Sequence, residues 1–331
     1  MADYKGIQGY SVQKLSSDPG TLSEVVGQLW YNSTSGKFKV SVQGAASWSS
    51  GGPLNTAREA ITQAGTQTAA IAMGGYSSPP VTYYAQTETY NGTTWTETGD
   101  LNTARSKATC NVGTQTATLI AAGIAGGSTS ALCETFNGTS WTEKADLNVA
   151  RHSLAGGGTT TAAIAFGGNQ APGPYATALS ETWNGSTWTE TADLNTGRSN
   201  IAGGGLSTAG IGFGGYISGT TYANTETYDG TSWTEVNDLN TASSSGAGAA
   251  ATNTAALSIG SAPTAPGGAN SCESYDGTSW AVTTAFTTAR GDIRGTGTSA
   301  LALIAGGGPA PQTTVEEFDN APITAKVVTV S

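Results

Sequence analysis

An arginine and a glutamate recur through this chain in a constant sequence setting. The arginines are Arg58, Arg105, Arg151, Arg198 and Arg290. The glutamates are Glu88, Glu134, Glu181, Glu226, Glu273 and Glu316, each two residues before an aromatic ring. Two kinds of chemistry are open to such a set. The guanidinium groups could ring an axis and bind an anionic sugar or a carboxylate. Alternatively, each Arg could pair with a Glu within or between repeating units and hold strands in register. One Arg and one Glu per unit, in the same setting each time, favours the second use. A buried pair of that kind specifies geometry more than it adds stability.

Little else has the makings of catalysis. His152 is the only histidine, so it has no second imidazole for a metal site or a relay. No Gly-x-Ser-x-Gly, phosphate loop, Cys-x-x-Cys or calcium-loop spacing occurs. The carboxylates are spread along the units, and no pair stands out for sugar hydrolysis. Cys110, Cys133 and Cys272 are an odd set on separate strands, and free buried thiols are expected. No catalytic residue, cofactor or metal is expected.

The elements that carry the Arg and Glu are set by tryptophan. Trp48, Trp95, Trp141, Trp188, Trp233 and Trp280 recur every 45 to 47 residues, and each is followed six residues later by Leu or Phe. A repeat of that size is one supersecondary unit that cannot bury its own faces alone. Five full units cover 54–100, 101–146, 147–193, 194–238 and 239–285, and a sixth begins at Phe286. The second unit reads as four short strands, at about Lys107–Val112, Thr116–Ala125, Leu132–Phe136 and Trp141–Lys144. Asn137-Gly138 joins the last two, and the same turn stands at Asn91, Asn184, Asp229 and Asp276. Asn-Gly tolerates the positive φ of a tight hairpin. The turn also accounts for the glycosylation-like triplets at Asn91, Asn137 and Asn184. No window has the apolar period of a long helix.

Four antiparallel strands in about 45 residues indicate a β-propeller blade. The pattern resembles the kelch repeat. Gly-Gly closes the second strand at 74/75, 126/127, 167/168, 214/215 and 306/307; Glu-x-aromatic, Trp and Arg follow in order. Unit five departs from it, with Ser243 for the Arg and Gly260-Ser261 for Gly-Gly, and is expected to be less regular. The resemblance implies an all-β, six-bladed kelch-like propeller over 46–331. Nothing before Trp48 supplies inner strands for its blade. Ala46–Ser50 is therefore expected to complete the blade begun at 286–319, closing the ring by exchange of terminal strands. Ala325–Val330 competes for that outer position.

Repeated residues then build the ring: the five arginines and six tryptophans are structural. Variable segments follow each Gly-Gly and share one face with the Leu-Asn-Thr-Ala-Arg links. They hold the candidate recognition residues Tyr76, Tyr83, Tyr84, Tyr175, Tyr216 and Tyr222. Tyr among polar neighbours on a rigid scaffold suits contact with carbohydrate or protein.

Composition narrows the partners. With 23 carboxylates against 13 Lys plus Arg, the formal net charge is −10, which disfavours nucleic acid. No apolar span long enough for a membrane helix and no secretory leader is readable, so membrane insertion is not expected. Residues 1–45 lie outside the repeat and read as an attachment arm with a β-hairpin. Leu29, Trp30 and Tyr31 are candidate docking residues there. The element Gly27-Gln28-Leu29-Trp30-Tyr31-Asn32-Ser33-Thr34 behind Ser17-Asp18-Pro19 resembles the start of many virion proteins of tailed bacteriophages. Together with the repeat style it resembles proteins of marine and cyanobacterial phages. That resemblance implies a non-enzymatic virion protein, a tail or fibre adhesin. Its arm would bind other virion proteins within a symmetric oligomeric assembly, and its loops would face a host glycan or protein. A capsid or collar decoration protein and a sugar-processing propeller enzyme are the alternatives.

Overall fold

The computed structural model describes residues 12–19, 27–109, 111–173, 175–261, 270–320 and 323–328. Cys110, most of the variable segment 262–270 and the end of the strand candidate 325–330 lie outside the described residues. The described residues form strands and turns and no helix. The chain divides into two compact units: Ser47–Asp319, and Met1–Ala46 together with Asn320–Ser331.

Six four-stranded antiparallel sheets, with a three-stranded and two two-stranded ones beside them, make up the larger unit, as in a β-propeller-like fold. The first contains Thr62–Thr66, Ala69–Met73, Thr87–Tyr90 and Trp95–Glu97. The second contains Gly113–Thr114, Ala117–Ala121, Cys133–Phe136 and Trp141–Lys144. Ala155–Thr159, Ala162–Phe166, Ser180–Trp183 and Trp188–Thr191 form the third. Ala202–Leu206, Ala209–Phe213, Thr225–Tyr228 and Trp233–Val236 form the fourth. The fifth holds Ala247–Thr252, Ala255–Ile259, Cys272–Tyr275 and Trp280–Thr283. The sixth takes Arg294–Gly297, Leu301–Ala305 and Val315–Asp319 from the end of the unit and Ser47–Ser50 from its start.

Burial follows from stacking. Second strands such as Ala162–Phe166 are buried at all but their first residue, because a neighbouring sheet covers each face. The apolar clusters accordingly span adjacent sheets: Leu119 and Cys133 pack with Leu154, Ala165 and Trp188. Fourth strands bury only their leading Trp and expose the rest, as in Trp141–Lys144. The hairpins before them are Asx turns. Asn91 Oδ1 accepts the N–H of Thr93 and of Thr94, at 3.0 and 2.9 Å. Asp229 and Asp276 accept the equivalent pairs.

Three details differ from the sequence pattern. In the second unit the first strand is only Gly113–Thr114, because Asn111 stands at φ 62° and interrupts the extended run expected from 107. The fifth sheet keeps four strands and carries its irregularity as a register shift between Ala250 and Thr252. The C-terminal strand Ile323–Val327, expected with the repeats, pairs with Lys37–Gln43 instead. It completes a sheet with Leu29–Asn32 and Gln13–Leu15, so the hairpin at 29–40 is the middle of a four-stranded sheet.

The outer position of the sixth sheet therefore belongs to Ser47–Ser50. It runs antiparallel to Val315–Asp319, with Trp48 opposite Phe318 and their rings 5.2 Å apart. Trp48 Nε1 donates to Thr284 O at 2.9 Å. Ser47 and Asp319 are exposed partners in this register. Cysteines at both positions, Ser47→Cys with Asp319→Cys, are expected to form a disulfide on mild oxidation, since facing antiparallel residues lie within disulfide reach. Mass spectrometry of the linked peptide checks this, and a partner other than residue 319 would overturn the pairing.

Candidate functional site

The repeated Arg and Glu meet inside each unit. Arg58 pairs with Glu88, Arg105 with Glu134, Arg151 with Glu181, Arg198 with Glu226 and Arg290 with Glu316, all fully or almost fully buried. Four of these glutamates also bind the Asn of the link, and Glu316 binds the backbone of Thr287 and Thr288 instead. Asn55 N and Nδ2 donate to Glu88 Oε2 at 2.8 and 2.9 Å, while Arg58 Nη2 donates to Oε1 at 2.5 Å. Asn102, Asn148, Asn195 and Asn240 repeat the arrangement. Burial pulls the Arg58 guanidinium below its usual range, and Glu88 opposes that shift. In unit five, where Ser243 replaces Arg, Glu273 is held by three N–H donors from Asn240 and Thr241. The role of the Asn was not read from the sequence, although its fivefold recurrence was the available signal.

Glycine and tryptophan join the units to each other. Gly75 N donates to Arg105 O at 2.8 Å, and a Cβ on Gly74 would meet that same oxygen at 2.3 Å. Only glycine fits there, at φ 62°. Trp141, Trp233 and Trp280 donate to Thr87, Ser180 and Thr225 of the preceding unit. Cys133 and Cys272 occupy the equivalent positions and face Trp188 and Trp48. Both are free, and burial pushes their thiols up to about 11 and about 12. They replace small hydroxyl residues beside an indole, as buried inert thiols.

The links and the variable segments lie at one end of the sheets. Isolated bridges join Glu59 to Tyr76, His152 to Asn169, Ser199 to Tyr216 and Gly291 to Gly308. One residue further along, Ala60, Lys107, Ser153, Asn200, Ser245 and Asp292 all have positive φ, between 47 and 57°. They are linked backbone to backbone. Lys107 N donates to Ala60 O, Ser153 N to Lys107 O, Asn200 N to Ser153 O, Ser245 N to Asn200 O, and Ala60 N to Asp292 O. This run of five bonds was invisible in the sequence, because its residue types have nothing in common except a shared backbone need.

The candidate tyrosines lie in the variable segments, and Tyr76 and Tyr216 are bridged to the residues just before this run. Tyr175 is 76% exposed and Tyr216 38%. Tyr76 and Tyr83 are half-buried with ring centroids 6.3 Å apart, and Tyr84 Oη donates to Ser77 Oγ at 3.0 Å. Tyr222 is half-buried. Next to Ala60, Glu59 is buried and hydrogen-bonded by the Tyr76 phenol; Lys107 Nζ lies 5.8 Å from the Tyr76 ring centroid. Burial, with Asp292 nearby, pushes the Glu59 carboxyl up. Burial, with Lys107, pulls the His152 imidazole down to about 4. Among the described residues no group of three His, Cys, Asp or Glu is arranged to hold a metal.

No protein-family model matches this chain, and no curated protein matches it.

In the smaller unit, the three docking candidates separate. Trp30 is fully buried and its indole donates to Asp18 Oδ1 at 3.3 Å. Asn32 Nδ2 and Lys39 Nζ reach the same carboxylate, at 2.7 and 2.6 Å. The motif is thus a polar clasp closed over a core indole, so Trp30 is not contact surface. Leu29 and Tyr31 are half-buried and remain available.

Two outcomes follow from these charges. Arg198→Met leaves Glu226 buried without its cation and is expected to cost about 3–5 kcal/mol. Adding Glu226→Gln should return part of that loss, as urea unfolding of both variants would reveal. Equal loss in the single and double variants would deny the pair its role. For His152, the unfolded chain takes up a proton near pH 6.5 and the folded chain only near 4. Stability therefore falls as pH drops through that window and is complete above it. His152→Gln is expected to flatten the fall, read as the difference in unfolding free energy between pH 7.5 and pH 4.5.

Proposed function

We propose that the six sheets are blades of one closed, kelch-like propeller, and that the protein is a non-enzymatic adhesin of a tailed-phage virion. Closure is supported by an unbroken circuit of first-strand contacts. Thr62–Thr66 touches Gly113–Thr114, and the contacts continue through the third, fourth and fifth sheets to Arg294–Gly297, which returns to Thr62–Thr66. Gly307 N also donates to Arg58 O, and Gln67 Nε2 to Phe318 O, joining unit six to unit one.

The observation that carries the adhesin reading is the division of labour between constant and variable residues. Every constant Arg is buried against a Glu, and the repeated indoles are spent on packing. The exposed aromatic rings, Tyr175 and Tyr216, lie in segments that differ from unit to unit. A rigid scaffold with adaptable Tyr-rich loops at one end is built to recognise a surface, a host glycan or protein. The smaller unit supplies the attachment to other virion proteins, through the surface around Leu29 and Tyr31.

Binding of the purified protein to host cells or a glycan array tests the reading. Tyr175→Ala with Tyr216→Ala is expected to weaken binding roughly tenfold or more, the scale of an aromatic hot spot. Electron microscopy of labelled virions is expected to place the protein on the tail or a fibre. Label on the capsid shell would sink the adhesin and favour the decoration protein.

A further inference from the structure

Arg294, a buried cation of the larger unit, has no anion among the described residues. Arg294 opens the first strand of the sixth sheet and is 5% exposed. Its Nη1 donates to Ile293 O at 2.9 Å, and no carboxylate lies within ion-pair distance among the described residues. The five link arginines each have a glutamate. Arg294 also breaks the repeat: the positions that match it in the other units are Thr62, Thr109, Ala155, Ala202 and Ala247. A long cation has replaced a small neutral residue at one place only.

Arg294 lines a small cavity of about 10 Å³ whose other walls come from units two to five. Asn111, the residue that interrupts the second unit's first strand, forms one wall. Its Nδ2 reaches Gly203 O at 3.0 Å and Gly248 O at 2.9 Å. Those two carbonyls therefore already accept a hydrogen bond and are less free to balance the guanidinium. Much of the remaining wall is glycine backbone. A Cβ on Gly248 would meet Gly203 N at 2.7 Å, and one on Gly246 would meet Gly260 O at 2.4 Å.

We propose that this cavity is a binding site for a monatomic anion, a halide such as chloride, held by Arg294. A guanidinium has five N–H donors, and one is directed at Ile293 O. A buried charge without a counter-charge is strongly disfavoured, and a neutral water supplies lone pairs but no charge. The volume holds about one water-sized particle. A halide, somewhat larger than water, needs a small outward shift of the wall, and sulfate, phosphate and carboxylate need far more room. The anion ties the strand of unit six to those of units four and five, where the fifth unit lacks its own link arginine.

The test uses bromide and chloride on the whole protein. Crystals grown in bromide are expected to give an anomalous peak within about 3.5 Å of the Arg294 guanidinium. In solution, Tm is expected to rise with chloride when gluconate maintains ionic strength, as for any ligand that binds only the folded state. Arg294→Met should abolish that dependence. Acetate or phosphate should not replace chloride. No anomalous peak at Arg294, or the same chloride response in Arg294→Met, would overturn the proposal. If the variant does not fold, the bromide peak in the wild-type protein decides alone.

Discussion

A buried glutamate in the third strand of each unit is the interaction on which the rest depends. Glu88 and its counterparts receive a link Asn on one oxygen in five units, Thr287 standing in its place in the sixth, and a link Arg on the other in all but the fifth. The chain must therefore cross from one sheet to the next at a fixed height above the third strand. Arg58 extends the grip by donating to Gly74 O and Gln86 O, the two ends of the variable segment. The segment can vary freely between ends that cannot move. That separation of fixed ends from free loop is what makes a recognition face compatible with a repeat.

Dependence on pairs rather than on a large core explains other features. The first strands are Ala- and Gly-rich, as in Ala155–Thr159 and Ala202–Leu206, and Gly157 would place a Cβ 2.5 Å from Gly205 O. First strands of neighbouring sheets thus approach almost backbone to backbone. Little apolar bulk is available near their contact, so the large side chains, Trp and Leu, lie between the sheets further out. Indole N–H groups buried there need acceptors, and Thr87, Ser180 and Thr225 supply them. Where Cys272 stands instead, the facing Trp48 donates to Thr284 O. Unit six has Val315 at that position, and Trp95 turns to Gly52 O.

The smaller unit follows the same logic with one copy. Asp18 gathers an indole, an amide and an ammonium, and hydrogen bonding to Lys39 holds its carboxyl below the usual range. A motif that looks like a display of aromatic residues is in its centre a buried clasp. The sequence offered Trp30 and Tyr31 as equals, and burial separated them, because alternate residues of a strand face opposite sides.

Sequence alone determined what repetition can encode. The tryptophan period, the Asn-Gly turns and the paired recurrence of Arg and Glu were enough to expect six four-stranded units, structural arginines and loops sharing one end with the links. Each signal is local, and copying it made it legible. Only tertiary structure decided what occurs once or joins distant segments. Ile323–Val327 left the repeats for Lys37–Gln43 because a lone strand has no periodic context to assign its partner. Ala60, Lys107, Ser153, Asn200, Ser245 and Asp292 share a left-handed backbone conformation that their side chains do not announce. Arg294 belongs to no repeated motif, and only folding buries it among glycines from other units. A side chain's meaning there is set by neighbours that sequence distance conceals.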